Sequence, residues 1–303
     1  MKIGITGGTG LVGKRLITLF LQKGYEVFVF TRNPKIQSKE HKLHYSYWDP
    51  IGKIMDIDVL GNLNAVIHIA GANVAEKRWT KKRKQEIEES RTLSTAFLVD
   101  QINQYASDCN CFVSASAIGI YGPDISSGLP FTENAKAHTD FLGTTCVRWE
   151  DSSAHLKPSI RRVVLRMGIV LAKEGGALAQ FIQPIQFFVK PYLGGGKQVI
   201  SWITLEDIAQ LFLYSVEQKQ VQGVYNAVAP NPVSQRALMN AIANHKNKWV
   251  VPIYVPSFLL KIILGEMSIE VLKSSTVSCE KIQQAGFQFQ SSDIDQALKH
   301  LKV

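Results

Sequence analysis

Short apolar runs alternate with longer amphipathic stretches over the first half of the chain, and the alternation returns between residues 199 and 227. The runs have the length of buried strands, and the stretches between them repeat apolar residues at helical spacing. The predicted strands are Lys2–Thr6, Glu26–Thr31, His44–Trp48, Ala65–Ala70, Cys111–Ser116, Arg162–Met167, Val199–Ile203 and Val224–Ala227. The predicted helices are Leu11–Lys23, Lys81–Tyr105, Asp140–His155 and Leu205–Glu217. Buried strands separated by helices indicate a parallel, doubly wound α/β sheet.

The pattern changes after Gly168. Glycine pairs and triplets and scattered prolines interrupt the apolar segments, and the tail carries mostly helical signals. We therefore predict one domain over residues 1–168, to which residues 198–228 return. Residues 169–197 and 229–303 are predicted to form a smaller C-terminal lobe that covers a substrate.

The composition is that of an ordinary soluble globular protein, with 303 residues of which 46% are hydrophobic and 19% charged. No apolar run approaches the ~18 residues that span a bilayer. The start at Met1-Lys2 runs directly into a strand without a signal peptide, so we expect a cytoplasmic protein with no membrane role. The cysteines show neither a CxxC pair nor zinc spacing, and we expect reduced thiols and no metal.

The net charge of +9 raises nucleic acid as a partner. The one dense basic run, Lys81–Lys84, is followed at once by Glu86, Glu88 and Glu89, which places opposite charges four residues apart on a helix. A solvated helix face accounts for this run. We expect no nucleic-acid partner, a phosphorylated small molecule as the ligand attracted by the charge, and a monomer or homodimer.

A glycine-rich turn follows the first strand and opens the first helix. Its residues are Gly7, Gly8, Thr9, Gly10, Leu11, Val12 and Gly13, which satisfy the G-x-G-x-x-G pattern from Gly8. The glycines permit a tight turn and close approach of the backbone to a pyrophosphate, and the helix N-terminus offers unpaired N–H groups. In this context the motif predicts a Rossmann-type, dinucleotide-binding sheet.

The end of the second strand indicates which dinucleotide binds. A site specific for NAD needs a carboxylate here for the ribose 2′-hydroxyl. The chain instead reads Thr31-Arg32-Asn33-Pro34-Lys35. Because Arg32 can grip a 2′-phosphate that a carboxylate would repel, Thr31 and Arg32 are predicted to bind NADP(H). An ordinary surface arginine is the alternative.

These motifs, with others in the same order along nearly the whole chain, resemble the short-chain dehydrogenase/reductase superfamily of the extended type. Within it, the chain is similar to the atypical family labelled "epimerase family protein", or nucleoside-diphosphate-sugar epimerase-like. The matching segments are Gly7–Gly13, Ala70–Asn73, Arg78–Arg91, Ser114–Gly122, Asp140–Glu150, Arg166–Leu171, Gly194–Gly196, Trp202–Asp207, Tyr225–Pro230, Leu264–Glu266 and Ala285–Phe287.

The resemblance implies further site residues. It places Ile69, Ala70 and Gly71 beside the cofactor, and implies that Glu86 and Arg91 face the cofactor or brace its loops. A purely structural role for Glu86 and Arg91 is an equal alternative. The resemblance also places Ser114 and Ser116 at the strand end that carries the catalytic serine or threonine of the superfamily.

One feature departs from the superfamily pattern. Ordinary members protonate the substrate through a tyrosine with a lysine four residues on, and no tyrosine of this chain has that lysine. Leucine and cysteine, at Leu142 and Cys146, stand near the two positions. We predict Ser116 with Tyr121 as the catalytic pair, while His138 and Asp140 are further candidates for moving a proton.

Two functions remain open at this point. The first is an NADP(H)-dependent oxidoreductase or epimerase-like enzyme, acting on a carbonyl or hydroxyl substrate of nucleotide-sugar type. The second is a non-catalytic protein that senses NADP(H) and regulates a partner. The missing tyrosine–lysine pair favours the second, and the serine-bearing strand end favours the first.

Overall fold

The computed structural model describes residues 1–33, 35–125 and 128–303; Pro34, within the run after the second strand, lies outside them. The strands are β1 Lys2–Thr6, β2 Glu26–Thr31, β3 Leu43–Asp49, β4 Ile54–Met55, β5 Ala65–His68, β6 Cys111–Ala117, β7 Arg161–Met167, β8 Ile169–Ala172, β9 Val189–Leu193, β10 Val199–Ile200, β11 Trp202–Thr204, β12 Gly223–Ala227, β13 Val233–Ser234 and β14 Val251–Val255. The helices are α1 Leu11–Gln22, α2 Ile57–Gly61, α3 Lys81–Tyr105, α4 Phe141–Asp151, α5 Gly176–Gln186, α6 Leu205–Glu217, α7 Gln235–His245, α8 Ser257–Leu264, α9 Ser268–Leu272, α10 Glu280–Gln284 and α11 Ile294–His300.

The large sheet has eight strands in the order β12-β7-β6-β5-β1-β2-β3-β4. Its strands run parallel except for the antiparallel edge strand β4. The strand order reverses at β1, because β2 lies on one side of it and β5 on the other. The crevice at such a reversal is where doubly wound sheets bind ligands. The predicted fold, a Rossmann-type parallel sheet, is confirmed.

The two faces of this sheet are buried against different helices. Ile3 and Ile5 of β1 lie in the cluster that includes side chains of α1 and α6, and both are fully buried. Val66 of β5 and Phe112 of β6 face the opposite cluster with residues of α3. Burial on both faces explains why the strands read as nearly continuous apolar runs.

A second hydrophobic core lies beside the sheet. It includes Leu178 and Ile182 of α5, Leu238 and Ile242 of α7, and Trp202 of β11. The paired strands β10–β13, β8–β11 and β9–β14 belong to the same part of the chain. The predicted division into 1–168 with 198–228, against 169–197 with 229–303, stays a prediction.

Part of the predicted small lobe packs elsewhere. Val277, Ile282 and Phe287 join the core of the large sheet. The C-terminal segment therefore bridges the two cores.

Several strand predictions needed revision. The predicted strand Val199–Ile203 is divided at Ser201 into β10 and β11, which have different partners. Strands β9 and β14, which carry Pro191 and Pro252, escaped prediction because proline lacks the N–H that a strand interior uses. Within the described ranges, no helix is both long and apolar enough to cross a membrane.

Candidate functional site

The glycine-rich turn packs between β2 and the loop that follows β5, the two strands on either side of β1. Gly7 has a φ of +71°, a region that favours glycine. A Cβ atom there would lie 2.9 Å from the backbone of Ile69 and Ala70. A Cβ atom at Gly13 would overlap the carbonyl oxygen of Gly7, and one at Gly8 would lie 2.6 Å from Val29. These three glycines are therefore required by the packing of the turn itself.

Gly10 differs from the other three glycines. It is exposed, and the nearest atom to a Cβ placed there is the carbonyl oxygen of Gly7 at 3.3 Å. Gly10 caps the N-terminus of α1 with an extended backbone, followed by the half-buried Leu11 and Val12, and no acidic residue lies in the first turn. The first N–H groups of a helix lack intrahelical partners and attract anions. The open space above Gly10 and the neighbouring exposed Thr9 suits a phosphate.

Strand β2 ends beside this turn, since β1 and β2 pair in parallel with Thr6 opposite Phe30. The side chain of Thr31 is buried, and its hydroxyl accepts a hydrogen bond of 3.2 Å from the backbone N–H of Asn33. Arg32 is exposed, and the next acidic residue along the chain is Glu40. The structure thus brings an exposed guanidinium, rather than a carboxylate, to the strand end next to the glycine turn.

The loop after β5 is braced by Arg91 of α3. One guanidinium nitrogen donates to the carbonyl oxygen of Ala72 at 3.0 Å, and the other to that of Ile87 at 2.9 Å. The guanidinium also lies over the ring of Trp149 at 5.1 Å and against the backbone of Gly71. Burial lowers the pKa of Arg91. These contacts fit the bracing role that was one of its two predicted alternatives.

Glu86 lies nearer the start of the same helix and is exposed. Its carboxylate pairs with Arg83 at 2.7 Å, and this hydrogen bond, opposed by desolvation, lowers the pKa of Glu86. Arg83, which the sequence analysis did not single out, is 6% exposed and also donates to the carbonyl oxygen of Asn73 at 2.6 Å. Arg83 belongs to the basic run 81–84, which the sequence suggested to be a solvated helix face. Lys81 and Lys82 are exposed as expected, but Arg83 is buried.

The predicted catalytic pair lies inside a buried polar network, which we call the strand-end network: Ser116, Tyr121, Glu150, Arg166 and Asn226. The Ser116 hydroxyl donates to Glu150 at 2.7 Å, and Arg166 donates to both oxygens of Glu150 at 2.8 and 2.9 Å. Arg166 also donates to the Tyr121 hydroxyl at 2.8 Å, which in turn donates to Asn226 at 2.7 Å.

Tyr121 has no exposed surface and Ser116 is 2% exposed. Burial raises the pKa of Tyr121, although Arg166 opposes the rise. Burial also opposes the charge of Arg166, but its hydrogen bonds and ion pair with Glu150 outweigh that cost and its pKa is raised. Both hydroxyls are thus satisfied within the chain, and a catalytic role for them requires the network to open toward a substrate.

Ser114 lies two residues before Ser116 on β6. It is 2% exposed and lies opposite His68 in the register of β5 and β6. The His68 ring contacts the Thr6 hydroxyl at 2.7 Å and the Ser94 hydroxyl at 3.3 Å. Burial lowers the pKa of His68 to about 3. A neutral histidine therefore stands directly beneath the loop that begins at Ile69.

A second titratable cluster lies where the C-terminal segment meets the carboxyl end of β6. Asp140 caps α4 by accepting from Gly143 N–H at 2.7 Å, and its other oxygen lies 3.0 Å from Nδ1 of His138. The His138 ring is 42% exposed and packs against the backbone of Gly122. Nδ1 also accepts a hydrogen bond of 3.3 Å from the backbone N–H of Asp140, which leaves Nε2 as the nitrogen that can serve a ligand.

Glu270 and Lys273, from the C-terminal segment, stand close to this dyad. The Lys273 ammonium donates to Glu270 at 2.8 Å and to the carbonyl oxygen of Tyr121 at 3.3 Å. Burial raises the pKa of Glu270, opposed by Lys273, and the charges of Asp140 and His138 reach it. The seam between the sheet and the C-terminal segment is therefore lined by charged groups.

Leu142 and Cys146, which stand near the positions of the superfamily's tyrosine and lysine, pack closely against Gly119. A Cβ atom at Gly119 would lie 3.3 Å from Leu142 and 3.9 Å from the Cys146 sulfur. Burial raises the pKa of the Cys146 thiol to about 12, so it stays protonated and uncharged at neutral pH. All four cysteines are buried and free.

Comparisons with known proteins show the family to which the chain belongs. Residues 3–227 match the NAD dependent epimerase/dehydratase family, and residues 255–301 match a domain of unknown function, DUF1731. The chain is 34% identical over 305 residues to "Epimerase family protein YfhF" of Bacillus subtilis, covering 99% of this chain and 98% of that protein. It is also 34% identical over 299 residues to an epimerase family protein of Staphylococcus aureus, covering 98% and 97%.

Two solved structures are similar to this one. The human epimerase family protein SDR39U1, solved with NADPH, has a TM-score of 0.87 at 24% identity and covers 100% of this chain and 99% of its own. A nucleoside-diphosphate sugar epimerase from Corynebacterium glutamicum has a TM-score of 0.78 at 27% identity, covering 100% of this chain and 58% of that one. The predicted resemblance to the epimerase family proteins is confirmed.

Proposed function

The chain belongs to the NAD-dependent epimerase/dehydratase family, and from this premise we propose that it binds NADP(H) where β1, β2 and β5 end. The observation that carries the proposal is the open backbone at Gly10 beside the exposed Arg32, with no carboxylate at the end of β2. Gly7–Gly13 would hold the pyrophosphate, and Thr31 and Arg32 the 2′-phosphate. NADPH in the human structure supports this choice of cofactor.

The residues farther along the same edge complete the proposed cofactor site. Ile69, Ala70 and Gly71 would line it, and Ser114 would lie at its floor. Arg91 and Glu86 would act on the loop after β5 rather than on the cofactor, because Arg91 bonds the loop backbone and Glu86 bonds Arg83.

The cofactor proposal is tested by fluorescence titration with NADPH and NADH. NADPH should bind at least about tenfold more tightly, a difference of about 1.4 kcal/mol. Arg32→Ala should remove most of that preference and leave NADH binding nearly unchanged, since NADH has no 2′-phosphate. Equal affinity of the unaltered protein for the two cofactors would contradict the proposal.

For the reaction, we propose hydride transfer with NADP(H) at a small substrate of nucleotide-sugar type, either reduction of a carbonyl group by NADPH or, in epimerase-like chemistry, reversible oxidation of a hydroxyl group by NADP⁺. When bound, the reduced cofactor would supply a hydride and the oxidised cofactor would accept one. The alkoxide that hydride transfer leaves on a carbonyl carbon must then be protonated. His138, whose ring is 42% exposed and whose Nδ1 accepts from the Asp140 backbone N–H, is more accessible to a substrate than the buried hydroxyls of Ser116 and Tyr121.

The proton donor is tested by NADPH oxidation across a panel of aldehydes, ketones and quinones. His138→Gln should lower turnover by about 10² or more, the scale of general acid–base catalysis, without weakening NADPH binding. Ser116→Ala is the matched comparison, because it removes a satisfied buried hydroxyl. If Ser116→Ala lowers turnover by about 10² and His138→Gln does not, the proton passes through the strand-end network, as the sequence analysis predicts.

A second function is favoured by the packing around Gly119. Leu142 and the buried Cys146 thiol leave no acid–base pair at those positions. A protein that senses NADP(H) and regulates a partner needs the cofactor site alone. Tight NADPH binding without turnover of any compound in the panel would favour this function.

A further inference from the structure

The C-terminal lobe exposes large apolar side chains that an ordinary globular protein would bury. We call this surface the apolar platform; its residues are Phe187, Phe188, Trp249, Val251, Ile253, Tyr254, Phe258, Leu259, Ile262, Ile263 and Ile269, each between 39% and 80% exposed. Most of these residues follow one another closely along the chain, because β14 leads directly into α8 and then α9. Phe188 is joined to it by a hydrogen bond from Val251 N–H to its carbonyl oxygen at 2.9 Å.

Helix α8 shows the effect most clearly, because its apolar side chains are turned outward. Phe258, Leu259, Ile262 and Ile263 are spaced one, three and one residues apart, which places them within an arc of about 140° on one face. That face is exposed, whereas Leu260 on the other side is 7% exposed. A surface helix normally turns its apolar stripe toward the core. The reversed orientation indicates that this face meets an apolar phase outside the chain.

The size of the platform sets it apart from scattered surface residues. Surface hydrophobic residues are normally scattered singly, whereas eleven large apolar side chains, each 39–80% exposed, belong to this one part of the chain. Exposed apolar surface of this kind also occurs where a second copy of the chain binds.

The charges around the platform distinguish between a second copy of the chain and an anionic surface as the partner that covers it. Lys190, Lys246, Lys248 and Lys261 lie within or beside it, and among the described residues none of them pairs with a carboxylate. Glu266 and Glu270 stand at its end but are paired with Lys84 and Lys273. A self-contact would gather two sets of lysines without acidic counterparts. An anionic surface would neutralise them.

We propose that the apolar platform docks on the surface of a bilayer that contains anionic lipids, with α8 lying in the interfacial plane. Apolar and aromatic side chains flanked by lysines are the composition of helices that bind membrane surfaces. Trp249 and Tyr254 suit the headgroup level, where amphipathic rings collect. The proposal concerns residues other than those of the glycine turn and does not rest on cofactor binding or turnover.

The test is sedimentation of the full chain with vesicles of phosphatidylcholine and phosphatidylglycerol, beside vesicles of phosphatidylcholine alone. The protein should bind the anionic vesicles at least about tenfold more strongly, and added salt should weaken the binding because it screens the lysines. Trp249 fluorescence should shift to the blue. The other tryptophans report little change, since Trp48, Trp149 and Trp202 are buried and Trp79 is half-buried.

The decisive variant is Phe258→Ser with Ile262→Ser, which alters side chains 65% and 66% exposed and so preserves the fold. It should lower vesicle binding at least about tenfold, with unchanged thermal unfolding. Ile51→Ser, at an 83% exposed position in another part of the molecule, is the matched control and should bind normally.

Three results would overturn the proposal. One is an absence of vesicle binding by a protein that is monomeric in analytical ultracentrifugation. Another is a dimer that the double variant dissociates and that does not bind vesicles, which would assign the platform to a second copy. The third is equal binding to neutral vesicles at all salt concentrations, which would remove the role of the lysines.

Discussion

The loops after β1 and β2 expose the backbone at Gly10 and the side chain of Arg32, whereas β6, β7 and β12 end in buried side chains that bond one another. In the first region, a Cβ atom at Gly10 would meet only the carbonyl oxygen of Gly7, at 3.3 Å. In the second, Glu150 accepts from Ser116 and Arg166, and Tyr121 joins Arg166 to Asn226. Both regions lie on the same edge of one sheet.

The difference teaches how to separate binding groups from structural ones. A polar group that is exposed at the end of a helix or strand retains its capacity to bind a ligand. A buried group must be satisfied within the chain, because an unpaired polar atom in the interior is costly. We therefore assign ligand binding to the first region and stability to the strand-end network. The predictions below test that assignment.

The largest effect is expected from Glu150→Ala, which leaves Arg166 buried without its carboxylate. Removing one partner of a buried ion pair costs about 3–5 kcal/mol, so the free energy of unfolding in urea should fall by that amount. NADPH affinity should change less than about threefold, within the context-dependence of such measurements. Glu88→Ala is the matched control, because Glu88 pairs with the exposed Arg148 and should cost about 1 kcal/mol or less. Equal losses for the two variants would refute a buried, structural network.

Gly10→Val should weaken cofactor binding and leave stability nearly unchanged, which is the reverse of the effects expected for Glu150→Ala. The backbone at Gly10 is extended, with φ −76° and ψ 175°, a conformation open to any residue, and a Cβ there would displace the Gly7 carbonyl oxygen by only a few tenths of an ångström. A valine side chain would fill the space intended for the pyrophosphate, so affinity for NADPH should fall at least about 100-fold, or about 2.7 kcal/mol.

Circular dichroism of the Gly10→Val variant should match the unaltered protein and its thermal unfolding should change little, because only the Gly7 carbonyl oxygen, at 3.3 Å, has to move. Gly13→Val is the contrasting variant, because its Cβ overlaps the Gly7 carbonyl oxygen and the fold itself should be destabilised. A well-folded Gly10→Val protein that binds NADPH normally would place the phosphate site elsewhere.

The smallest predicted effect is a pH dependence of the free energy of unfolding that arises from His68, the buried residue at the end of β5. His68 has its pKa lowered to about 3 in the folded protein, whereas a histidine in an unfolded chain titrates near 6.5. Below about pH 6.5 the unfolded chain gains a proton that the folded protein does not. The stabilising contribution is therefore complete above pH 6.5 and decreases as the pH falls toward 3.

Each pH unit in this window should cost about 1.4 kcal/mol, so the free energy of unfolding should fall by about 2 kcal/mol from pH 7 to pH 5. Urea unfolding at the two pH values measures the loss. His68→Gln removes the titrating group, and its stability, lower overall, should change less over the same interval. An identical pH dependence in both proteins would show that other groups cause the loss.

The sequence by itself determined the elements that depend only on residues close together in the chain. A buried apolar run followed by glycines and an amphipathic helix predicted β1, the turn and α1, and the position of Arg32 after β2 was evident for the same reason. Contacts within a few residues follow from backbone conformation and periodicity, which the chain displays directly.

Only the tertiary structure decided which distant residues meet. Ser116, Glu150, Arg166 and Asn226 lie on four different elements, and no periodicity shows that they converge, because the partner of a buried polar group is selected by packing. The same holds for α8. Its apolar spacing is that of a core helix, and which side faces outward depends on where β14 and α9 anchor it. Local pattern specifies that a face is apolar, while the rest of the fold determines what that face contacts.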